Sequence, residues 1–181
     1  MTATAPQLRR PERSPRLRRY PGIARVAKEL AALVDRERVS PRVKRLAVRL
    51  AVEGGLKRTP DGHPDLRDRR GMAEAILRGL RRRVNYANDP EKTEVVNAPL
   101  TTLTTGLGDC EDFVAAGGSM LSSLGVPVQI VLVGYGADGY DHTYLEVDAG
   151  DGWEAWDATL EGARFGMRAP GERRRHVVAV A

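Results

Sequence analysis

Cysteine occurs once in this 181-residue chain, so no internal disulfide can form. Aromatic residues are scarce at 5%, with two Trp, two Phe and five Tyr, and there are only three His. Without interleaved aromatics or a nucleic-acid motif, the chain lacks the stacking platforms that single-stranded nucleic-acid binders use, and nucleic acid is not the expected partner. No apolar run approaches the ~18 residues of a membrane helix. The N-terminus also lacks the apolar core of a secretory signal. A single free thiol fits a reducing compartment, so the expected location is cytoplasmic. Lys and Arg are missing altogether between residues 93 and 163.

That last absence exposes a strong charge asymmetry beneath a net charge of +5. Residues 1–92 carry 24 Lys and Arg against 11 Asp and Glu (+13), residues 93–163 carry 12 acids (−12), and residues 164–181 carry five bases and one acid (+4). Two halves of opposite charge can dock on each other within one domain, or the basic half can meet an acidic partner. Residues 1–20 hold six of the Arg and little apolar periodicity. They read as a flexible arm offered to an acidic partner, ahead of a single domain over 21–181.

The apolar spacing of Ile23, Val26, Ala27, Leu30 and Val34 predicts an amphipathic helix over about 22–36. Ser40-Pro41 marks the start of a second helix, which carries Val43, Leu46, Ala47 and Leu50 and stops at Gly54-Gly55. A third, beginning at Asp65 or Gly71, turns Met72, Ile76, Leu77 and Leu80 inward and ends in Arg81, Arg82 and Arg83, where the dipole favours cations. Residues 85–109 read as one long connection, of the kind that is usually functional. A small-residue helix follows over Phe113–Leu124, stopped by Gly125-Val126-Pro127. Strands are then predicted at Val128–Val133, at His142–Asp148, after a turn at 149–152 at Trp153–Ala158, and at His176–Val180. Helices first and strands after imply an α+β fold with an antiparallel sheet. No internal repeat is present.

The lone thiol is Cys110, in Gly108-Asp109-Cys110-Glu111-Asp112. A thiol attacks a carbonyl as its thiolate. Asp109 is a good N-cap and Asp112 completes a capping-box-like pattern, so Cys110 falls in the first helical turn, where the dipole favours an anion and unbonded N–H groups serve as oxyanion donors. Asp109, Glu111 and Asp112 oppose the thiolate by like charge, which makes a His partner necessary. With a turn at 149–152, paired positions of the hairpin sum to 301, so Asp148 faces Trp153 and Tyr144 faces Asp157. His142 and Asp157 are then diagonal neighbours, roughly 7–8 Å apart at Cα. His142 is thereby a candidate base for Cys110, and Asp157 the group that orients its ring.

At these residues the chain resembles the transglutaminase-like superfamily, a branch of the papain-like cysteine enzymes. The resemblance rests on Gly108-Asp109-Cys110-Glu111-Asp112-Phe113, Leu124-Gly125-Val126-Pro127, Asp141-His142-Thr143-Tyr144-Leu145-Glu146-Val147 and Trp153-Glu154-Ala155-Trp156-Asp157-Ala158-Thr159. The lead-in Val84-Asn85-Tyr86, Asp89-Pro90 and Glu94 to Pro99 is similar to that of bacterial and phage-type members. It implies a papain-like core, with a Cys-bearing helix packed on an antiparallel sheet. It also implies Cys110 as nucleophile, His142 as base, Asp157 as orienter, no cofactor, and acyl transfer on a peptide or protein amide by hydrolysis or amine exchange. Asn97 stands where a Gln would be expected; with Asp109 and Trp156 it is a candidate for the oxyanion and substrate side. A phage-encoded member would place the protein in a virion.

Two other readings compete. A non-catalytic module would use the same fold and the Arg-rich arm for structure or binding, for example in a phage particle. A metal site could be assembled from Asp109, Glu111, Asp112, Asp141 and His142, although capping and solvation already account for the acids.

Overall fold

A computed structural model describes residues 23–89, 95–137, 139–162 and 164–180. The arm at 1–20, the first residue of the predicted opening helix and the Asp89-Pro90 to Glu94 part of the lead-in beyond Asp89 lie outside the described residues, as does the side chain of Ile23. Five helices and six strands follow: α1 (Ile23–Arg38), α2 (Pro41–Glu53), α3 (Arg69–Arg83), β1 (Asn85–Tyr86), α4 (Pro99–Thr105), β2 (Leu107–Gly108), α5 (Cys110–Ser123), β3 (Val128–Gly134), β4 (His142–Asp148), β5 (Trp153–Trp156) and β6 (Arg174–Ala179). The four longer strands form one antiparallel sheet in the order β5-β4-β3-β6. The fold is α+β, as expected. No helix among the described residues is long and apolar enough to cross a membrane.

The expected stripes face the core. Ala27, Leu30 and Val34 of α1, Val43, Ala47 and Leu50 of α2, and Met72, Ile76, Leu77 and Leu80 of α3 are buried. Asp68 caps α3 by accepting the Gly71 N–H at 2.7 Å, so the helix starts at Arg69 rather than at Asp65 or Gly71. Ser40 sits at the N-cap of α2 with Pro41 behind it, but its side chain makes no capping bond. The α2 C-terminus is satisfied from α3, where Arg78 Nε donates to Gly54 O at 2.7 Å and Arg82 Nη1 to Glu53 O at 2.9 Å. Part of the basic excess therefore neutralises a helix end inside the domain. Gly54 permits the crossing, since a Cβ there would meet Ala75 O at 1.9 Å.

α5 runs through the middle, with every residue from Cys110 to Leu121 buried. Its small residues explain how. A Cβ on Gly117 would lie 2.4 Å from Trp156 Cη2, and one on Gly118 would crowd Val34 of α1 and Leu145 of β4. One face of the sheet, with Val128, Ile130, Leu145, Val147 and Trp156, shares this core. The opposite face packs Val131, Val133, Tyr135, Tyr144 and Ala155 against Leu160 and Ala169 of the following chain. On that face Glu146, 1% exposed, pairs with Arg168 and Arg175 and accepts from Gln129 at 2.8 Å. Those donors outweigh burial and hold its carboxyl below its usual range. β6 is exposed at the sheet edge and carries Arg174, Arg175 and His176, charges that discourage edge pairing.

The 85–109 stretch is not one loop. It contains β1 and β2, a short parallel ladder pairing Asn85 with Leu107 and Tyr86 with Gly108, and the single-turn-and-more helix α4 between them. Poor helix formers hide α4, because Thr102, Thr104 and Thr105 bond back to the carbonyls of Ala98, Leu100 and Thr101. Its ends were readable: Pro99 opens it and Gly106 closes it at φ 68°.

Candidate active site

Cys110 is the first residue of α5 and is 2% exposed. The helix begins there, three residues earlier than its apolar run suggests, because a capping box closes around it. Asp109 Oδ1 accepts the N–H groups of Glu111 (3.1 Å) and Asp112 (3.3 Å), and the nearby Asp109 N–H favours the ionised Asp112 carboxylate in return. This corrects one expectation. The N–H groups of Glu111 and Asp112 are not open to a ligand, and Phe113 N–H bonds Asp109 O at 3.1 Å. The Cys110 N–H remains the first-turn donor without such a bond.

The hairpin has the expected register. Asp148 pairs with Trp153, Val147 with Glu154, Glu146 with Ala155 and Leu145 with Trp156. β5 ends there, so Asp157 lies one residue beyond the ladder. His142 opens β4, and its Nε2 is 2.7 Å from Asp157 Oδ2, both side chains being buried. Thr159 fixes the other oxygen of Asp157, through its N–H at 3.0 Å and its hydroxyl at 2.7 Å. Burial pushes the Asp157 carboxyl up, but the His142 ring and the Thr159 donors prevail and hold it below the usual carboxylate range.

Strand geometry brings Cys110 to the same place. Asp148 N–H bonds Pro127 O on the β3 side, so alternation directs the N–H groups of Thr143, Leu145 and Val147 toward β5. Thr143 lies past the last β5 pair. Its N–H lies near enough to the Cys110 thiol to favour the thiolate, which puts the thiol near the peptide that follows His142. The structure thus brings His142 and Asp157 into contact at the open end of the β4–β5 ladder, with Cys110 at the start of α5 within the influence of Thr143 and Asp157. Burial drives the thiol well above its usual range, Glu111, Asp109 and Asp157 add to this, and the Thr143 N–H opposes it. The resting thiol is neutral.

The remaining predicted residues divide. Asp109 is buried, and its carboxyl is pushed up to about 7 by burial and the neighbouring Asp112 charge, against the two N–H bonds that it accepts. Asn97 reaches the same end of α5, where its N–H and Nδ2 both bond the Asp112 carboxylate, at 2.7 and 3.0 Å. Burial raises the Asp112 carboxyl despite those bonds. Trp156 is a correction. It is 1% exposed, its Nε1 donates to Ala73 O at 2.8 Å and its ring covers Gly117, so it is core and lines no substrate wall. Trp153, 46% exposed, is the surface member of the pair.

Two contributors escaped sequence reasoning. The Thr143 N–H is backbone, and only the end of β5 reveals it. Tyr86 is fixed by β1 in register with Gly108, two residues before Cys110, and burial, reinforced by the carboxylates of Asp109, Glu111 and Asp157, keeps its phenol protonated. Tyr144 stacks behind His142, with ring centroids 6.2 Å apart. Its hydroxyl donates to Glu172 at 3.0 Å and accepts from Arg175 at 2.9 Å.

The acids considered as metal ligands have other partners. Asp141 Oδ2 accepts the N–H groups of Tyr135 and Gly136, and Asp109, Asp112 and His142 are engaged as above. Among the described residues no group of three or more His, Cys, Asp and Glu is arranged to hold a metal ion.

The sequence model of the transglutaminase-like superfamily matches residues 62–158. No curated protein matches the chain. A solved structure from Cytophaga hutchinsonii, described as a "putative cysteine protease", is similar at 17% identity with a TM-score of 0.49; the alignment covers 90% of this chain and 58% of that one. The chain therefore spans little more than half the length of that neighbour.

Proposed function

The chain belongs to the transglutaminase-like superfamily, and from that premise we propose that it is a cysteine enzyme of acyl transfer on amides, with Cys110 as nucleophile, His142 as base and Asp157 as orienter. The observation that carries this reading is the buried 2.7 Å bond between His142 Nε2 and Asp157 Oδ2, with Cys110 opening α5 and the N–H of Thr143, the residue after His142, acting on its thiol. Because Nε2 faces Asp157, Nδ1 is the ring nitrogen left for the thiol.

The chemistry follows from a neutral resting thiol. As Cys110 Sγ attacks the substrate carbonyl carbon, its proton passes to His142 Nδ1, and Asp157 stabilises the imidazolium. The tetrahedral oxyanion collapses, the C–N bond breaks, and the departing amine takes the proton from His142. A thioester on Cys110 remains. Water, deprotonated by the same ring, releases an acid; an amine in its place yields a new amide.

The test is intact-mass detection of an acyl adduct on Cys110 with an activated ester or peptide amide. We expect an adduct in the wild type, none in Cys110→Ala, and formation slowed by roughly 10³-fold or more in Asp157→Asn, which stabilises the wrong tautomer. An adduct that persists in Cys110→Ala refutes the assignment. The near-complete burial of the thiol favours a second reading, a non-catalytic module. Full biological function of Cys110→Ala would support that one.

A further inference from the structure

We propose that Tyr86 is a further catalytic residue, its phenolic O–H donating to the oxyanion that forms on the substrate when Cys110 attacks. The proposal rests on the acyl-transfer reading above and supplies a donor that this reading lacks. Oxyanion stabilisation generally uses two donors converging on one oxygen. At the start of α5 the N–H groups of Glu111, Asp112 and Phe113 are occupied within the capping box and helix, which leaves the Cys110 N–H. The Asn97 amide, the expected second donor, is bound to Asp112.

Tyr86 is held close to the start of α5. Asn85 N–H bonds Gly106 O at 2.8 Å and Ala87 N–H bonds Gly108 O at 3.0 Å. These bonds bracket Tyr86 and tie it to the segment that runs directly into Asp109 and Cys110, with Tyr86 paired to Gly108. Its ring packs against the main core, which restricts the phenol. The hydroxyl's hydrogen bond, to Asn88 Oδ1, is long at 3.4 Å, so the O–H can turn to a stronger acceptor when one forms. Burial, reinforced by the nearby carboxylates of Asp109, Glu111 and Asp157, keeps it protonated and able to donate. A neutral donor among carboxylates suits an oxygen that is uncharged in the substrate and negative only in the transition state.

The experiment compares wild type and Tyr86→Phe in two reactions. Turnover of an activated ester passes through an oxyanion; alkylation of Cys110 by iodoacetamide does not. We expect kcat to fall about 10²–10³-fold in Tyr86→Phe with KM within about threefold, while the alkylation rate stays within about twofold. Unchanged kcat overturns the Tyr86 role, and so does an equal fall in alkylation, which would mark an effect on the thiol. Should Tyr86→Phe fail to fold, Tyr86→His keeps a ring and a donor; we expect it to retain measurable turnover, and turnover no better than in Cys110→Ala would overturn the role. A wild type that forms no acyl adduct at all would instead sink the acyl-transfer reading itself.

Discussion

Gly117→Ala isolates what holds α5 against β5. The added Cβ would lie 2.4 Å from Trp156 Cη2 and 2.5 Å from Cζ3, where carbon atoms pack at about 3.5–4.0 Å. Neither partner can retreat freely. The indole is buried and tethered by its Nε1 to Ala73 O at 2.8 Å. α5 is buried along twelve residues and is wedged on its far side, where Gly118 meets Val34. Overpacking costs about 1–3 kcal/mol, and loosening the indole bond adds about 1–3 kcal/mol. The higher helix propensity of Ala returns about 1 kcal/mol. The expected net loss is about 3 kcal/mol, read as a lower urea midpoint by circular dichroism at 222 nm. Trp156→Phe removes the far edge of the indole, so in that background the same Gly117→Ala change should be neutral or slightly stabilising. The cycle then gives a coupling of about 3 kcal/mol. Equal costs in the two backgrounds, or a Gly117→Ala cost below about 0.5 kcal/mol, would refute the packing argument.

Two further outcomes follow from the charges. Asp109 titrates near 7 in the fold, above its unfolded value, so its stabilising contribution is whole below about pH 4 and is lost as pH rises through 7. Asp109→Asn keeps the cap acceptor and does not titrate; its urea midpoint should fall less than that of the wild type between pH 5 and pH 8. The same variant removes a charge that raises the thiol, so Cys110 alkylation should begin at lower pH, and an unshifted profile would count against the electrostatic account. Arg175→Ala leaves buried Glu146 with Arg168 and Gln129. We expect a loss of about 1–3 kcal/mol at pH 7 that shrinks toward pH 4.5 as the less well paired carboxyl takes a proton; a pH-independent loss would point to packing instead.

What the sequence makes legible here is periodic or chemical. The α1–α3 stripes, the capping box at Asp109 and the hairpin register that brings His142 to Asp157 all follow from spacing and turn residues, because each is decided within a few positions. Trp156 shows the limit of that reasoning. Beside Asp157 in sequence it looks like a site residue, yet strand alternation turns it to the opposite face, into the α5 core, and only the closeness of Gly117 gives it room. α4 was hidden because its Thr residues bond their own backbone. Tyr86 and the Thr143 N–H depend on where short strands start and stop, which propensity fixes poorly.

The superfamily match stops at residue 158, but the physical unit does not. Thr159 grips Asp157, Glu172 and Arg175 hold the tyrosine behind His142, and Arg168 and Arg175 neutralise a carboxylate buried in mid-sheet. A fragment cut at the edge of the match would retain Cys110, His142 and Asp157 while stripping β6 from β3 and stranding Glu146. For anyone recombining or minimising such a domain, the working boundary is set by charge neutrality behind the sheet, some twenty residues past the last recognisable motif.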